Sequence, residues 1–260
     1  NCALCGGKEK MYINASNGLW DCKVCGESGN LESFLKSVHQ KSLQVIDRAE
    51  YSKLGKARGL NARTLRAWDI GLGPDSYFIP VRGNPKHALV NIKKYRLKGT
   101  SVSIARCKQA LMVAKQKHNS SRVWICEGEW DAMALWELIR KNKMNEDVYA
   151  VPGSLAFPQQ CIDLFRGKEV RIIFDNDSGG FKGAQRTYYL LMDVAKKLEF
   201  VHWPNDKPDG YDLRDWYLAR RPKAKLYIDF ADFGLVRFAI QGGLLNAGFG
   251  RAYRLTAQDF

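Results

Sequence analysis

Acidic residues are missing from a long central part of this chain: between Asp75 and Glu127 there is neither aspartate nor glutamate. That absence argues against the usual fate of scattered lysines, a solvated face of mixed charge. Long apolar runs are also missing. No stretch could span a bilayer and no signal peptide is visible, so no membrane partner is expected. There is no low-complexity segment and no internal repeat, which excludes a solenoid. The cysteines do not read as a disulfide framework, because three of the seven, Cys107, Cys126 and Cys161, lie scattered in the body. A reducing, intracellular setting is expected, in the cytoplasm or nucleoid. A methionine start is absent too, which reads as a fragment or a trimmed chain.

What is present is basic. The 260 residues carry a net charge of +14, which favours a polyanionic partner. With no membrane segment, nucleic acid is the better reading. The acid-free stretch holds Arg82, Lys86, Lys93, Lys94, Arg96, Lys98, Arg106, Lys108, Lys115, Lys117 and Arg122 between apolar residues. Alternation over Asn91–Lys98 fits a strand with one charged face, and so a groove for a phosphate backbone or for triphosphates. A hydrophobic content of 45% suffices for a core, and the length suits one or two domains.

At the N-terminus, Cys2-x-x-Cys5 and Cys22-x-x-Cys25 have the spacing of a four-thiolate zinc site. Glycines after each pair let the backbone curl until both sulfurs face one ion. Met11–Ile13 and Gly18–Trp20 read as short strands of a zinc ribbon. A unit this small buries too little alone, so the metal supplies folding energy. Asn30 to Val38 reads as a helix capped by Asn30. Polar residues from Lys36 to about Arg48 read as a tether, and residues 50 to 72 as helical.

Two apolar strands then end in acids. Arg122–Cys126 runs into Glu127-Gly128-Glu129-Trp130-Asp131, with Asp131 at a helix start. Val170–Phe174 runs into Asp175-Asn176-Asp177-Ser178-Gly179-Gly180. Ligands of open α/β sheets gather beyond the carboxyl ends of the strands. Carboxylates there suit Mg²⁺, which takes oxygen ligands and keeps waters and substrate phosphates. An Asp-rich turn with no metal is the competing reading, since Asp and Gly are common after strands. Neighbouring strands would bring Glu127 beside Asp175 and Asp177. Further strands at Val148–Val151 and Glu199–Trp203, with helices at 131–142, Pro158–Phe165 and 181–197, imply a parallel sheet flanked by helices. From Pro222 onward the aromatic and glycine-rich sequence suggests packed loops or a helix.

E-G-x-x-D at Glu127–Asp131 followed by D-x-D at Asp175–Asp177 resembles a TOPRIM domain. With the four cysteines, and with Arg58-Gly59-Leu60 leading to Thr64, the order resembles the zinc-ribbon primases of phage type. The resemblance implies an α/β protein in five parts: a zinc-ribbon template-binding domain at 1–38, a linker at 39–49, a basic subdomain at 50–121, a TOPRIM catalytic subdomain at 122–221 and an extension at 222–260. It implies synthesis of short RNA primers on single-stranded DNA from ribonucleoside triphosphates. Asp175, Asp177 and Asp212 would hold Mg²⁺ or Mn²⁺, with Asp215 the alternative to Asp212. Glu127 would hold metal or move a proton, helped by Asp131. Lys94, Arg96 and Lys98 would bind nucleotide and template. A replicative helicase, separate or fused C-terminally, is the implied partner. The same acids would also serve a TOPRIM nuclease or topoisomerase, and a helicase-loading module without activity is a third class.

Overall fold

The computed structural model describes residues 2–84, 86–97, 99–115, 118–153, 156–201, 210, 242–246 and 252–256. Three short strands, β1 (Met11–Ile13), β2 (Trp20–Cys22) and β3 (Ser28–Gly29), form an antiparallel ribbon. Trp20 anchors it by packing edge-on against Phe34 and donating its indole N–H to the Asn30 carbonyl.

Helix α1 (Leu31–Val45) starts where expected, with the Asn30 side chain accepting from the Ser33 N–H. It continues through the stretch read as a tether, because Leu35, His39 and Ser42 are buried against the sheet that follows. The next two helices, α2 (Arg48–Arg58) and α3 (Ala62–Ala67), are capped by Asp47 and Asn61. Gly59, at φ +67°, supplies the left-handed residue that ends α2.

An antiparallel sheet follows in the order β4 (Gly71–Leu72), β5 (Tyr77–Val81), β6 (Asn91–Tyr95), β7 (Ser101–Ser103). The second large sheet has the order β12 (Lys197–Phe200), β11 (Glu169–Ile173), β9 (Arg122–Cys126), β10 (Asp147–Ala150), β8 (Met112–Val113). Four of its strands are parallel, and β8 joins β10 antiparallel. The expected parallel sheet is therefore mixed, and its antiparallel edge comes from the basic segment. Helix α4 (Glu129–Lys141) links β9 to β10; a 3-10 helix (Gln159–Phe165) leads back to β11; α5 (Ser178–Leu191) links β11 to β12. Right-handed crossovers put α4 on one face and the other two on the opposite face, and α5 does meet the 3-10 helix.

One apolar core runs through both sheets, from Leu54, Trp68 and Ile79 to Ile125, Tyr149, Phe165 and Ile172. Near the C-terminus, Gly242–Asn246 and Ala252–Thr256 pair as an antiparallel hairpin, β13 and β14, where loops or a helix were expected. Among the described residues no helix is long and apolar enough to cross a membrane.

Candidate active site and metal centre

The two cysteine pairs fold into the same turn twice. Cys2 N–H reaches the Gly7 carbonyl and Cys22 N–H the Glu27 carbonyl, each at 2.9 Å. Gly6 and Gly26 donate back to the Cys2 and Cys22 carbonyls, both at φ +74°, a conformation that favours glycine. The turns bring all four sulfurs within 4.8 Å of one another, with Cys2 to Cys25 at 4.0 Å and Cys5 to Cys22 at 3.7 Å. A tetrahedron with Zn–S bonds of about 2.3 Å has edges of about 3.8 Å, so the donor set fits zinc in type and size. Backbone N–H groups at Cys25 and Val24 draw the Cys22 thiol down to about 6. The N–H at Glu27 pulls Cys25 the same way, but burial and the three crowded sulfurs outweigh it and push that thiol up to about 12. Four thiolates so close repel one another unless a cation lies between them. Among the described residues this is the donor set compact enough for a single ion.

The acidic site is built by strand order. β9 and β11 are parallel neighbours in register, Cys126 opposite Ile173, so both strands end at one level. The chain leaves β9 toward β10 on one side and β11 toward β12 on the other. Their carboxyl ends therefore flank the point where the strand order reverses, the usual ligand crevice of open α/β sheets. Glu127 sits there with its Oε2 accepting the Asp175 backbone N–H at 3.0 Å. Asp177 caps α5, its Oδ1 accepting from Gly180 N–H at 2.6 Å. Asp131 lies in the first turn of α4, and its carboxylate folds back over Gly128, where a Cβ would come within 2.9 Å of Oδ2. Gly180 closes the cradle: a Cβ there would lie 2.2 Å from the Asp175 carbonyl oxygen and 2.8 Å from Glu127 Oε2. All four acidic residues are half-buried, backed by the sheet yet reachable.

The donors are oxygen-only, as Mg²⁺ or Mn²⁺ requires, and backbone N–H groups orient them. Among the described residues the carboxylates do not close to single-ion distance as a set of three. Asp212 and Asp215, the expected further ligands, lie outside the described residues.

The basic strand divides by parity. Lys94 is exposed, and Arg96 is exposed in an ion pair with Asp75; Lys98 lies outside the described residues. Lys93 does not belong to the charged face expected of this strand. It is buried, with Nζ 2.7 Å from Glu129 Oε2, and both side chains are under a tenth exposed. Neither Lys93 nor Glu129 stood out in the sequence. The available signal was period two, which puts Lys93 on the same side as Asn91 and Tyr95. A cavity of about 330 Å³ between α1 and the antiparallel sheet, lined in part by Lys36, His39, Arg82 and Lys115, shares no residue with the acidic site.

Residues 124–215 match the Toprim-like family. No curated protein matches the chain. Among solved structures, the chain is similar to the Aquifex aeolicus primase zinc-binding and RNA polymerase domains, at 17% identity over 84% of this chain and 73% of that one, with a TM-score of 0.49. It is similar to the RNA polymerase domain of Mycobacterium tuberculosis primase DnaG, at 14% identity over 77% and 82%, with a TM-score of 0.48. A third similarity is to a chain of the bacteriophage T7 lagging-strand DNA polymerase structure with primase domains bound to an RNA/DNA hybrid and dTTP. There the identity is 17% over 68% and 90%, with a TM-score of 0.47. The protein thus carries a Toprim-like domain behind an N-terminal cluster of four cysteines.

Proposed function

We propose that this chain is a DNA primase, which joins ribonucleotides into short primers on single-stranded DNA. The observation that carries the reading is the Glu127 carboxylate against the Asp175 N–H at the reversal point of a Toprim-like sheet. The four-cysteine ribbon and the acid-free basic segment in the same chain support a polymerase over a nuclease, because both suit a template strand.

Asp175, Asp177 and Asp212 would hold Mg²⁺ or Mn²⁺, and Glu127 would hold metal or move a proton. The metal, when bound, supplies positive charge to the attacking oxygen, the transferred phosphate and the pyrophosphate leaving group. The chain's own groups do the rest. The Asp175 and Gly180 N–H groups aim Glu127 and Asp177. Asp131, at the start of α4, would assist Glu127 if Glu127 takes the proton of the attacking 3′-hydroxyl. Lys94, with Arg96 and Lys98, would hold template and triphosphate through phosphate contacts. The cysteine-bound zinc would keep the ribbon folded for template contact.

Alanine at Asp175 should abolish synthesis of labelled oligoribonucleotides in Mg²⁺ while leaving DNA binding intact. Robust synthesis by the variant rejects the assignment. Metal-dependent nicking of DNA without primer synthesis would favour cleavage instead.

A further inference from the structure

Strand β6 presents its two faces to different tasks. Lys93 and Tyr95 on one face reach the first turn of α4, directly after Glu127 and Gly128. Lys93 Nζ meets Glu129 Oε2 at 2.7 Å and the Pro152 carbonyl at 3.5 Å. Two residues on, the Tyr95 ring packs edge-on against Trp130 with centroids 4.7 Å apart. The Arg58 guanidinium of α2 lies over both rings, 4.5 Å from the Trp130 centroid and 5.4 Å from that of Tyr95. One ammonium group therefore ties β6 to the turn after β9 and the turn after β10. An aromatic-cation stack fixes the adjacent residue of the same turn.

A buried ion pair adds little net stability over a well-packed apolar pair, but it demands one geometry. Lys and Glu have long, rotamer-rich side chains, and holding both costs entropy that an apolar contact avoids. The pair does what packing alone does less well: it sets the angle at which α4 leaves the sheet. That angle decides where the Glu127 carboxylate points, because Glu127 and Gly128 are the only residues between β9 and α4.

We infer that Lys93 is a positioning residue: acting through Glu129, it fixes the Glu127–Gly128 corner so that the Glu127 carboxylate meets the Asp175 N–H. The antiparallel sheet is then the frame of the acidic site as well as a surface for polyanions. Its role in catalysis rests on the primase reading; its role in geometry does not.

The Asp175 amide proton reports the geometry directly, because its acceptor is Glu127. Its hydrogen exchange is to be followed by NMR in the zinc-loaded chain without Mg²⁺ or Mn²⁺, in the wild type, Lys93→Arg, Glu129→Gln and the apolar double variant Lys93→Met/Glu129→Leu. The double variant should keep near-wild-type melting, since an apolar pair replaces the ionic one. It should still exchange Asp175 about tenfold faster or more, while the Tyr149 amide in the core is unaffected. Lys93→Arg should keep most of the protection. Wild-type protection of Asp175 in the folded double variant overturns the inference. If the double variant does not fold, Glu129→Gln decides the matter: faster exchange supports the inference and unchanged exchange overturns it. In primer synthesis, Lys93→Met should lower kcat with nucleotide KM little changed. A wild type that makes no primer counts against the polymerase reading and leaves the exchange result to judge Lys93.

Discussion

Asp177 carries two possible duties at once. Its side chain caps α5 through the Gly180 N–H, and its charge suits a metal. The two separate by substitution. Asn can cap as well as Asp, so Asp177→Asn should melt close to the wild type, whereas Asp177→Ala should lose about 1 kcal/mol. Both should lose primer synthesis by ~100-fold or more if the charge is needed, as a paired melting and activity assay would read. Asn variants that stay active would leave Asp177 a cap only. Gly180 gives a sharper test of the cradle. Gly180→Ala places a methyl against the Asp175 carbonyl and Glu127 Oε2, so it should cost about 1–3 kcal/mol and the activity together. The sequence placed acids at both strand ends, but it could not separate cap from ligand, since one carboxylate suits both. It also missed Lys93. A lysine among lysines reads as surface, and only the tertiary partner Glu129 makes its burial possible.

The elements whose signal is local were legible. The Cys-x-x-Cys turns, the Asn30 cap and the apolar strands β9 and β11 lie within a residue or so of expectation. What failed depended on distant partners. β8 is two residues long and exists because β10 offers it an edge. α1 runs past its expected end because His39 and Ser42 find a sheet to pack on. That docking should depend on pH. Burial lowers the His39 pKa; the Asp69 carbonyl, 2.8 Å from Nε2, opposes this, and the charge of Arg82 assists it. The unfolded chain takes up the proton near the ordinary pKa of about 6.5 while the fold resists it, so this stability is full above that pH and lost as pH falls through it. Melting between about pH 7.5 and 5.5 should fall more for the wild type than for His39→Gln; parallel curves would contradict this. The ribbon is the element whose four sulfurs could hold a metal ion. A strong chelator should release zinc and make Cys2, Cys5, Cys22 and Cys25 reactive toward a thiol reagent, while buried Cys126 and Cys161 stay protected. Four thiols equally reactive before and after chelation would count against the zinc site.

Taken together, the chain combines a basic antiparallel sheet, a four-cysteine ribbon and a mixed sheet whose strand order reverses between two parallel, acid-tipped strands. From the sequence, the meeting of Glu127 with Asp175 hung on β9 and β11 being neighbours, and their pairing supplies that condition. The sequence could not supply the shared frame, because the ion pair and the aromatic stack that tie β6 to α4 join residues far apart along the chain. The primase reading stands or falls on turnover. The zinc-loaded protein, given single-stranded DNA, labelled ribonucleoside triphosphates and Mg²⁺, should form short oligoribonucleotides, and Asp177→Asn of equal melting temperature should form none. A wild type that forms none, or a variant that matches it, would contradict the account.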